Sequence, residues 1–358
     1  MNSNITISMC MIVKNEQAVL ERCLNSYSGI FDEIIIVDTG STDDTKKIAS
    51  RYTDKIYDFE WNDDFSAARN FAFSKASCDY IFSADADEVL TPEANTAFKQ
   101  LKSVLLTEID IVQMKYVNCS HNTVYNSKKE LRPKLYKRLR TFTWISPIHE
   151  TVRLKPVIFD SDIEILHMPD KNHAKRDFTV FINSVNKGVH LEDYVLKMFC
   201  RELLISGTDE DLLSVSDIFI NVFQNEYTEQ ECLDAIACVL ARIYRITGKV
   251  NDFFKTALKN IAVMPCSEIC MELGNYFYDA GDYAEAVIWY INASTETGSI
   301  LDIRTSGDLP LYGLAKCYEK LSEEAELRGD AKSASVFGSN RYSYLEQAEQ
   351  WKLPEELI

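Results

Sequence analysis

No apolar run in the 358 residues approaches the roughly 18 needed to cross a bilayer, so a spanning helix is not expected. Glycine (12) and proline (8) are scarce, which excludes collagen-like and low-complexity chains. No basic segment precedes the short apolar stretch at the N-terminus, and Lys14-Asn15-Glu16 interrupts it, so no secretory leader is expected. The ten cysteines lack any CxxC spacing, and Cys10, Cys23 and Cys238 sit among apolar residues. That pattern favours reduced, buried thiols and a cytoplasmic protein over disulfides or zinc. Cations are in deficit: 38 Lys and Arg against 55 Asp and Glu give a net charge of −17. Such a field repels phosphate backbones, so nucleic acid is not an expected partner. One phosphorylated small molecule is still compatible, because a bound cation reverses the sign locally.

What is present is a core-forming composition, 46% apolar and 26% charged, long enough for about two domains. Ile5 to Val13 reads as a strand buried on both faces, and Val19, Leu20, Cys23, Leu24 and Tyr27 then recur at helical spacing. Glu33 to Asp38 is a second strand, and Ser41-Thr42-Asp43-Asp44 has the S-x-x-D form of a helix start. Lys55 to Glu60, Ser66 to Ala76, Tyr80 to Ala84 and Pro92 to Leu106 continue the strand–helix alternation. Alternation of this kind implies crossover units and a parallel sheet.

Ligands of such sheets bind beyond the carboxyl ends of the strands, where the strand order reverses. Polar residues concentrate at those ends: Lys14-Asn15-Glu16, Asp38 to Asp43, and Asp85-Ala86-Asp87-Glu88. Asp85 and Asp87, at i and i+2 of an extended segment, would point the same way and share one hard cation. A turn with solvated acids is the plainer alternative. Asp38 could bond a base or ribose edge, or cap the next helix in an Asx-turn. Arg69 could reach a phosphate or base, or form a surface ion pair.

Four segments in order, Met11-Ile12-Val13-Lys14-Asn15-Glu16, Val37-Asp38-Thr39-Gly40-Ser41-Thr42-Asp43, Asp64-Phe65-Ser66-Ala67-Ala68-Arg69-Asn70 and Ala84-Asp85-Ala86-Asp87-Glu88, resemble the signature of family 2 glycosyltransferases of the GT-A fold. Arg132-Pro133-Lys134-Leu135-Tyr136-Lys137-Arg138, Trp144 and Ile148-His149-Glu150 resemble a later block of one branch. That branch includes lipopolysaccharide-core, glycocin-peptide and flagellin-modifying enzymes. Asp38-Thr39 stands where the family commonly has two acids, and Asp64-Phe65 where it commonly has glycine.

The resemblance implies inverting transfer of a sugar, glucose or N-acetylglucosamine in type, from a UDP-sugar with Mn²⁺ or Mg²⁺. It implies Asp87, Asp85 and His167 at the metal. Val13, Asn15, Glu16, Asp38, Arg69 and Asp85 would serve the donor nucleotide, with Val13 and Asp38 framing its base. Glu150 would be the general base with His149 beside it. Arg132, Lys137, Arg138 and Trp144 would grip diphosphate or acceptor.

After Asp170 the chain reads as helices. Leu273 to Ala286 fits the tetratricopeptide pattern, with Gly274 and Ala286 as close-approach positions and Tyr283 between the helices. Leu240 to Gly248 has the same frame, and 281 − 248 = 33 matches the repeat of about 34. Leu314 to Tyr318 resembles a further first helix, displaced by an insertion around 299–307. The expected organisation is a GT-A domain over 1–170, a helical connector over 171–231 and a repeat domain over 232–358. A solenoid face suits docking of a peptide or protein acceptor, or pairing as a homodimer; a plain buttress is the alternative. Transfer to a lipid-linked or lipopolysaccharide-core saccharide is the second reading. A non-catalytic nucleotide-binding scaffold is the third.

Overall fold

The computed structural model describes residues 5–118, 129–140, 144–145, 151–152, 156–168, 174–187, 191–223 and 229–352. The chain divides between Val189 and His190 into two compact units. In the first, β1 (Ile7–Val13), α1 (Leu20–Ser26), β2 (Glu33–Asp38), α2 (Thr45–Ala49), β3 (Ile56–Asp58), α3 (Phe65–Lys75) and β4 (Tyr80–Ala84) alternate in sequence. β5 (Glu88–Val89), α4 (Pro92–Val104), β6 (Ile111–Asn118), β7 (Lys129–Lys137), β8 (Trp144–Ile145), β9 (Thr151–Val152), β10 (Ile158–His167) and α5 (Ala174–Asn186) follow.

Among the described residues the main sheet has the order β3-β2-β1-β4-β7-β6-β10-β5. The chain steps outward from β1 to β3, then returns to the other side of β1, so the reversal of order lies between β1 and β4. β1 to β4 pair in parallel, with Val13 opposite Asp38 and Met11 opposite Ala84. β7 departs from the parallel expectation: it runs antiparallel between β4 and β6. Two antiparallel steps restore the original direction, so β6 and β10 end on the same rim as β1 to β4.

Apolar side chains on the two sheet faces explain the layering. Leu20, Cys23 and Leu24 of α1 and Phe98 of α4 cover one face. There Phe82 of β4 meets the rings of Tyr27, Phe31 and Phe98 at 5.2–5.4 Å between centroids. Ala72 and Phe73 of α3 cover the other face together with Trp144. Each such fully buried large side chain contributes about 1.5–3 kcal/mol. Glu33 opens β2 against this grain. It is buried, and its carboxylate accepts bonds from the Ser8 hydroxyl, the Lys55 ammonium, and the Ser77 amide and hydroxyl, both at 2.9 Å.

The second unit is helical: α6 (Asp193–Ser206), α7 (Asp209–Ser214), α8 (Ser216–Phe223), α9 (Gln230–Ile246), α10 (Val250–Val263), α11 (Ser267–Asp279), α12 (Tyr283–Ile291), α13 (Asp308–Leu327) and α14 (Ala331–Gln350). Three of its turns are built alike. Gly248, Gly281 and Gly329 have φ of 67°, 81° and 72°, the left-handed region that ends helices. The residue after each glycine donates back across the last turn, Lys249 to Tyr244, Asp282 to Phe277 and Asp330 to Ala325, each at 2.9 Å. Asp282 and Asp330 then cap the following helices by accepting from Glu285 and Ser333. The helix pairs α9–α10, α11–α12 and α13–α14 are therefore one hairpin used three times.

Tyr283 packs between the helices as expected, its ring 5.4 Å from that of Tyr278 on α11. Tyr290 is a second wedge that fills the space beside Gly274, where a Cβ would lie 2.7 Å from its ring. A Cβ on Gly313 of α13 would lie 2.8 Å from the same ring, so two glycines make one slot. Between α12 and α13 the inserted residues form a π-helical turn (Asn292–Glu296) and a 3₁₀ turn (Ile303–Ser306). Buried Glu268 anchors this insertion by accepting the amides of Ile300, Leu301 and Asp302 at 2.7–3.0 Å. Cys238 and Cys266 lie beside it with sulfurs 3.6 Å apart. No described helix is long and apolar enough to cross a membrane.

Two outcomes follow for stability. Burial would raise the Glu33 carboxyl, but its bonds from Lys55, Ser8 and Ser77 prevail and lower it to about 2. A lowered folded value means stability present above the unfolded value of about 4.3 and lost as pH falls toward 2. In urea titrations, Glu33→Gln should cost about 1–3 kcal/mol at neutral pH, with the difference from wild type vanishing by about pH 2. Gly274→Ala should overpack the Tyr290 slot and cost about 1–3 kcal/mol. A melting temperature equal to wild type would refute that tight fit.

Candidate active site

The rim begins with two loops laced together. After β1, Asn15 adopts φ 58°, and its amide donates to the Ser41 hydroxyl at 2.9 Å. Its side-chain oxygen accepts the Thr42 amide at 2.8 Å. Glu16 donates its amide to Thr45 Oγ1 at 2.7 Å, and Gln17 donates to Asp43 at 3.3 Å. Ser41 thus serves the neighbouring loop, while Asp43 Oδ1 accepts the first amide of α2, that of Thr45, at 3.0 Å, and the helix begins there as expected. Val13 is held in the same lattice, its carbonyl accepting the Thr39 amide at 3.0 Å.

Asp38 takes the Asx-turn reading with one of its two oxygens. Oδ2 accepts the amides of Gly40 (3.2 Å) and Ser41 (3.0 Å), the Asx-turn. Gly40 has φ 99°, a conformation that glycine adopts without strain. Oδ1 is buried and accepts no hydrogen bond among the described residues. An orphaned buried acceptor costs about 1–3 kcal/mol, which a donor group arriving at the rim would offset.

The acids after β4 form a turn, where the sequence suggested an extended segment. The Glu88 amide donates to the Asp85 carbonyl at 3.2 Å, and the Asp85 amide donates to Glu88 Oε2 at 3.2 Å. The two aspartates consequently face different partners. Asp85 accepts from Arg69 Nη2 at 3.1 Å and lies 3.8 Å from the Lys134 ammonium. Burial opposes its charge, yet Arg69, Lys134 and Arg132 hold its carboxyl well below the usual carboxylate range. Arg69 also donates to the Ser83 hydroxyl at 2.7 Å, and its guanidinium sits 5.2 Å from the centre of the Trp144 ring.

Asp87 faces His167, with Oδ2 and Nε2 3.1 Å apart. The strand register makes this meeting: Glu88 of β5 pairs with His167 of β10. Met168 secures it, its amide donating to the Asp87 carbonyl at 2.9 Å while its own carbonyl accepts from Arg22 at 2.6 Å. Behind His167, the Tyr116 ring lies 5.2 Å away, and the Arg132 guanidinium covers that ring at 3.8 Å.

Not every residue singled out in the sequence reaches this rim. Because β7 is antiparallel, Arg132 near its start lies at the acidic end, whereas Lys137 and Arg138 lie opposite Tyr80, at the start of β4. Five residues of strand put them roughly 17 Å from the acids. There the Lys137 ammonium donates to the Thr107 carbonyl and Arg138 Nε to the Cys78 carbonyl, each at 2.5 Å. Trp144 is buried among Phe73, Tyr136 and the Arg69 guanidinium. Asn70 clamps its backbone, donating to the carbonyl at 3.0 Å and accepting from the amide at 2.8 Å. His149 and Glu150 lie outside the described residues.

Sequence reasoning missed Lys134 and Tyr116. Lys134 is 5% exposed and its ammonium contacts Glu88, which is fully buried. Burial pushes the Glu88 carboxyl up, Asp85 and Asp87 adding to the rise, and the Lys134 ammonium in contact with it opposes that rise and favours its charge. The available signal was a lysine set inside Pro133-Lys134-Leu135-Tyr136, an otherwise apolar stretch of strand.

The family described as glycosyl transferase family 2 matches residues 8–162. A TPR repeat-containing protein of Synechococcus elongatus is 47% identical over 93 residues, 26% of this chain and 23% of that protein. The prophage-derived glycosyltransferase SunS of Bacillus subtilis is 28% identical over 261 residues, 69% of this chain and 60% of that protein. The chain thus spans between about a quarter and three fifths of the length of these curated relatives. Among solved structures, S. aureus TarS 1-349 in complex with UDP-GlcNAc is similar at 11% identity and a TM-score of 0.38, over 95% of this chain and 92% of that one. With its parallel β1 to β4, its reversal of strand order and its acidic turn at the rim, the segment 8–162 is a glycosyl transferase family 2 domain of GT-A-like fold.

Proposed function

We propose that this protein is an inverting glycosyltransferase that moves a sugar, glucose or N-acetylglucosamine in type, from a UDP-sugar to a peptide or protein side chain. The observation that carries the reading is the Asp87–His167 pair on the ligand-binding rim. Adjacent donors of an octahedral ion, each at about 2.1 Å from it, lie about 3 Å apart. The 3.1 Å between Asp87 Oδ2 and His167 Nε2 fits that edge. A carboxylate with an imidazole suits Mn²⁺ better than Mg²⁺. Bound there, a divalent ion would supply charge stabilisation to a departing diphosphate.

The remaining steps fall to the chain's own groups. Asp38 Oδ1, buried and without a donor, suits a base or ribose N–H or O–H. Val13, Asn15 and Glu16 border that position through the laced loops. Arg69 pairs with Asp85 after β4, and Arg132 adds a cation over the Tyr116 ring. Glu150, as general base, would take the acceptor's proton from the face opposite the leaving group, with His149 beside it. The hairpin of β8 and β9 brackets these two residues in the sequence, and Asn70 ties that hairpin to α3. The three repeated helical hairpins support a peptide or protein acceptor, since stacked repeats present extended surfaces.

Two substitutions test the assignment. Asp87→Asn should weaken Mn²⁺-dependent UDP binding at least tenfold in calorimetry; unchanged affinity removes Asp87 from the metal. Glu150→Gln should leave UDP affinity intact and slow transfer about 10²–10⁴-fold. Transfer at the wild-type rate would exclude Glu150 as base.

A further inference from the structure

Three carboxylates fall within four residues, Asp85, Asp87 and Glu88, and like charges so close repel unless cations intervene. Arg69 answers Asp85 from the side of α3. Beneath the turn stands Lys134. Its side chain is 6% exposed, and its ammonium contacts Glu88 Oε1, lies 3.5 Å from the Ser83 carbonyl and 3.8 Å from Asp85 Oδ2. The Tyr116 ring closes the remaining side at 5.4 Å. Glu88 in turn grips the Asp85 amide and, through its register with His167, fixes the distance to the far wall of the site. A lysine is seldom buried without a demand for its charge, because desolvating an ammonium is costly.

We propose that Lys134 is a positioning residue that acts as the built-in counter-cation of the acidic turn. Its ammonium keeps Asp85, Asp87 and Glu88 packed in ligating register while no divalent ion is bound, and it thereby sets how tightly that ion is held. The proposal rests on the reading of Asp87 and His167 as cation ligands. An internal cation and an added one answer the same three charges, so they compete. Removing the internal one makes the metal-free turn less stable and the ion more strongly attracted.

The test is Lys134→Met in the full chain, which keeps the length of the side chain and deletes the charge. In EDTA its melting temperature should fall below wild type. Mn²⁺ should restore more of it than wild type gains, and calorimetry should give Mn²⁺ affinity in the presence of UDP on the order of tenfold tighter. Lys134→Met combined with Glu88→Gln removes one charge of each sign. That double variant should return Mn²⁺ affinity to within about threefold of wild type, and it serves where the single variant does not fold. Equal or weaker Mn²⁺ affinity in Lys134→Met, or a double variant as altered as the single one, overturns the role given to Lys134 alone. Absence of Mn²⁺ binding by the wild-type protein overturns the metal reading and this proposal together.

Discussion

Three like charges at the end of a buried strand set the electrostatic problem around which the first unit is organised. A carboxylate carried into a partly buried turn is tolerated only with a paired cation or a hydrogen-bond donor. Each acid here has its own answer from a different part of the chain. Asp85 takes Arg69 of α3, Glu88 takes Lys134 of β7, and Asp87 takes His167 of β10. The three answers come from residues 16, 46 and 80 positions away in sequence. The sheet order is therefore a precondition of the site: with β7 or β10 elsewhere, two acids would lack partners.

That dependence explains what could be read from residues alone. The parallel first half was legible, because buried strands such as Met9 to Val13 and Ile34 to Val37 announce themselves as unbroken apolar runs between helix-spaced segments. The rim followed, since strand ends in a parallel sheet share one edge. Beyond β4 the logic fails. A strand's direction is not written in its own composition, so which of Arg132 and Lys137, five residues apart, reaches the rim was not legible. The antiparallel turn of β7 sends them to opposite edges. Lys134 was opaque for the same reason: its value depends on Glu88, which only the β4–β7 pairing brings beneath it.

Local hydrogen bonding was the other blind spot. Ser41 to Asp44 has the form of a helix start, yet the Asn15 backbone outcompetes the α2 amides for Ser41. Ser and Asp side chains bond whichever backbone amide is near, and a left-handed Asn15 puts one within reach. In the helical unit the reverse holds. The turn chemistry there is wholly local, so the glycines at 248 and 281 gave the repeat interval directly. The second wedge was not legible, because Tyr290 meets Gly274 and Gly313 from helices that the sequence does not order in space.

Net charge illustrates how far a global property can mislead about a site. A balance of −17 argues soundly against a polyanionic partner, which samples the whole surface. It says little about a ligand that meets one rim. There Arg69, Lys134 and Arg132 favour the charge of Asp85, and Asp87 lies beside the His167 imidazole. Among the described residues of this rim, it is there that an imidazole nitrogen and a carboxylate oxygen meet at ligand spacing. The chain can remain acidic overall and still gather cations at one rim, because the sheet pairs each acid there with a partner from elsewhere in the sequence.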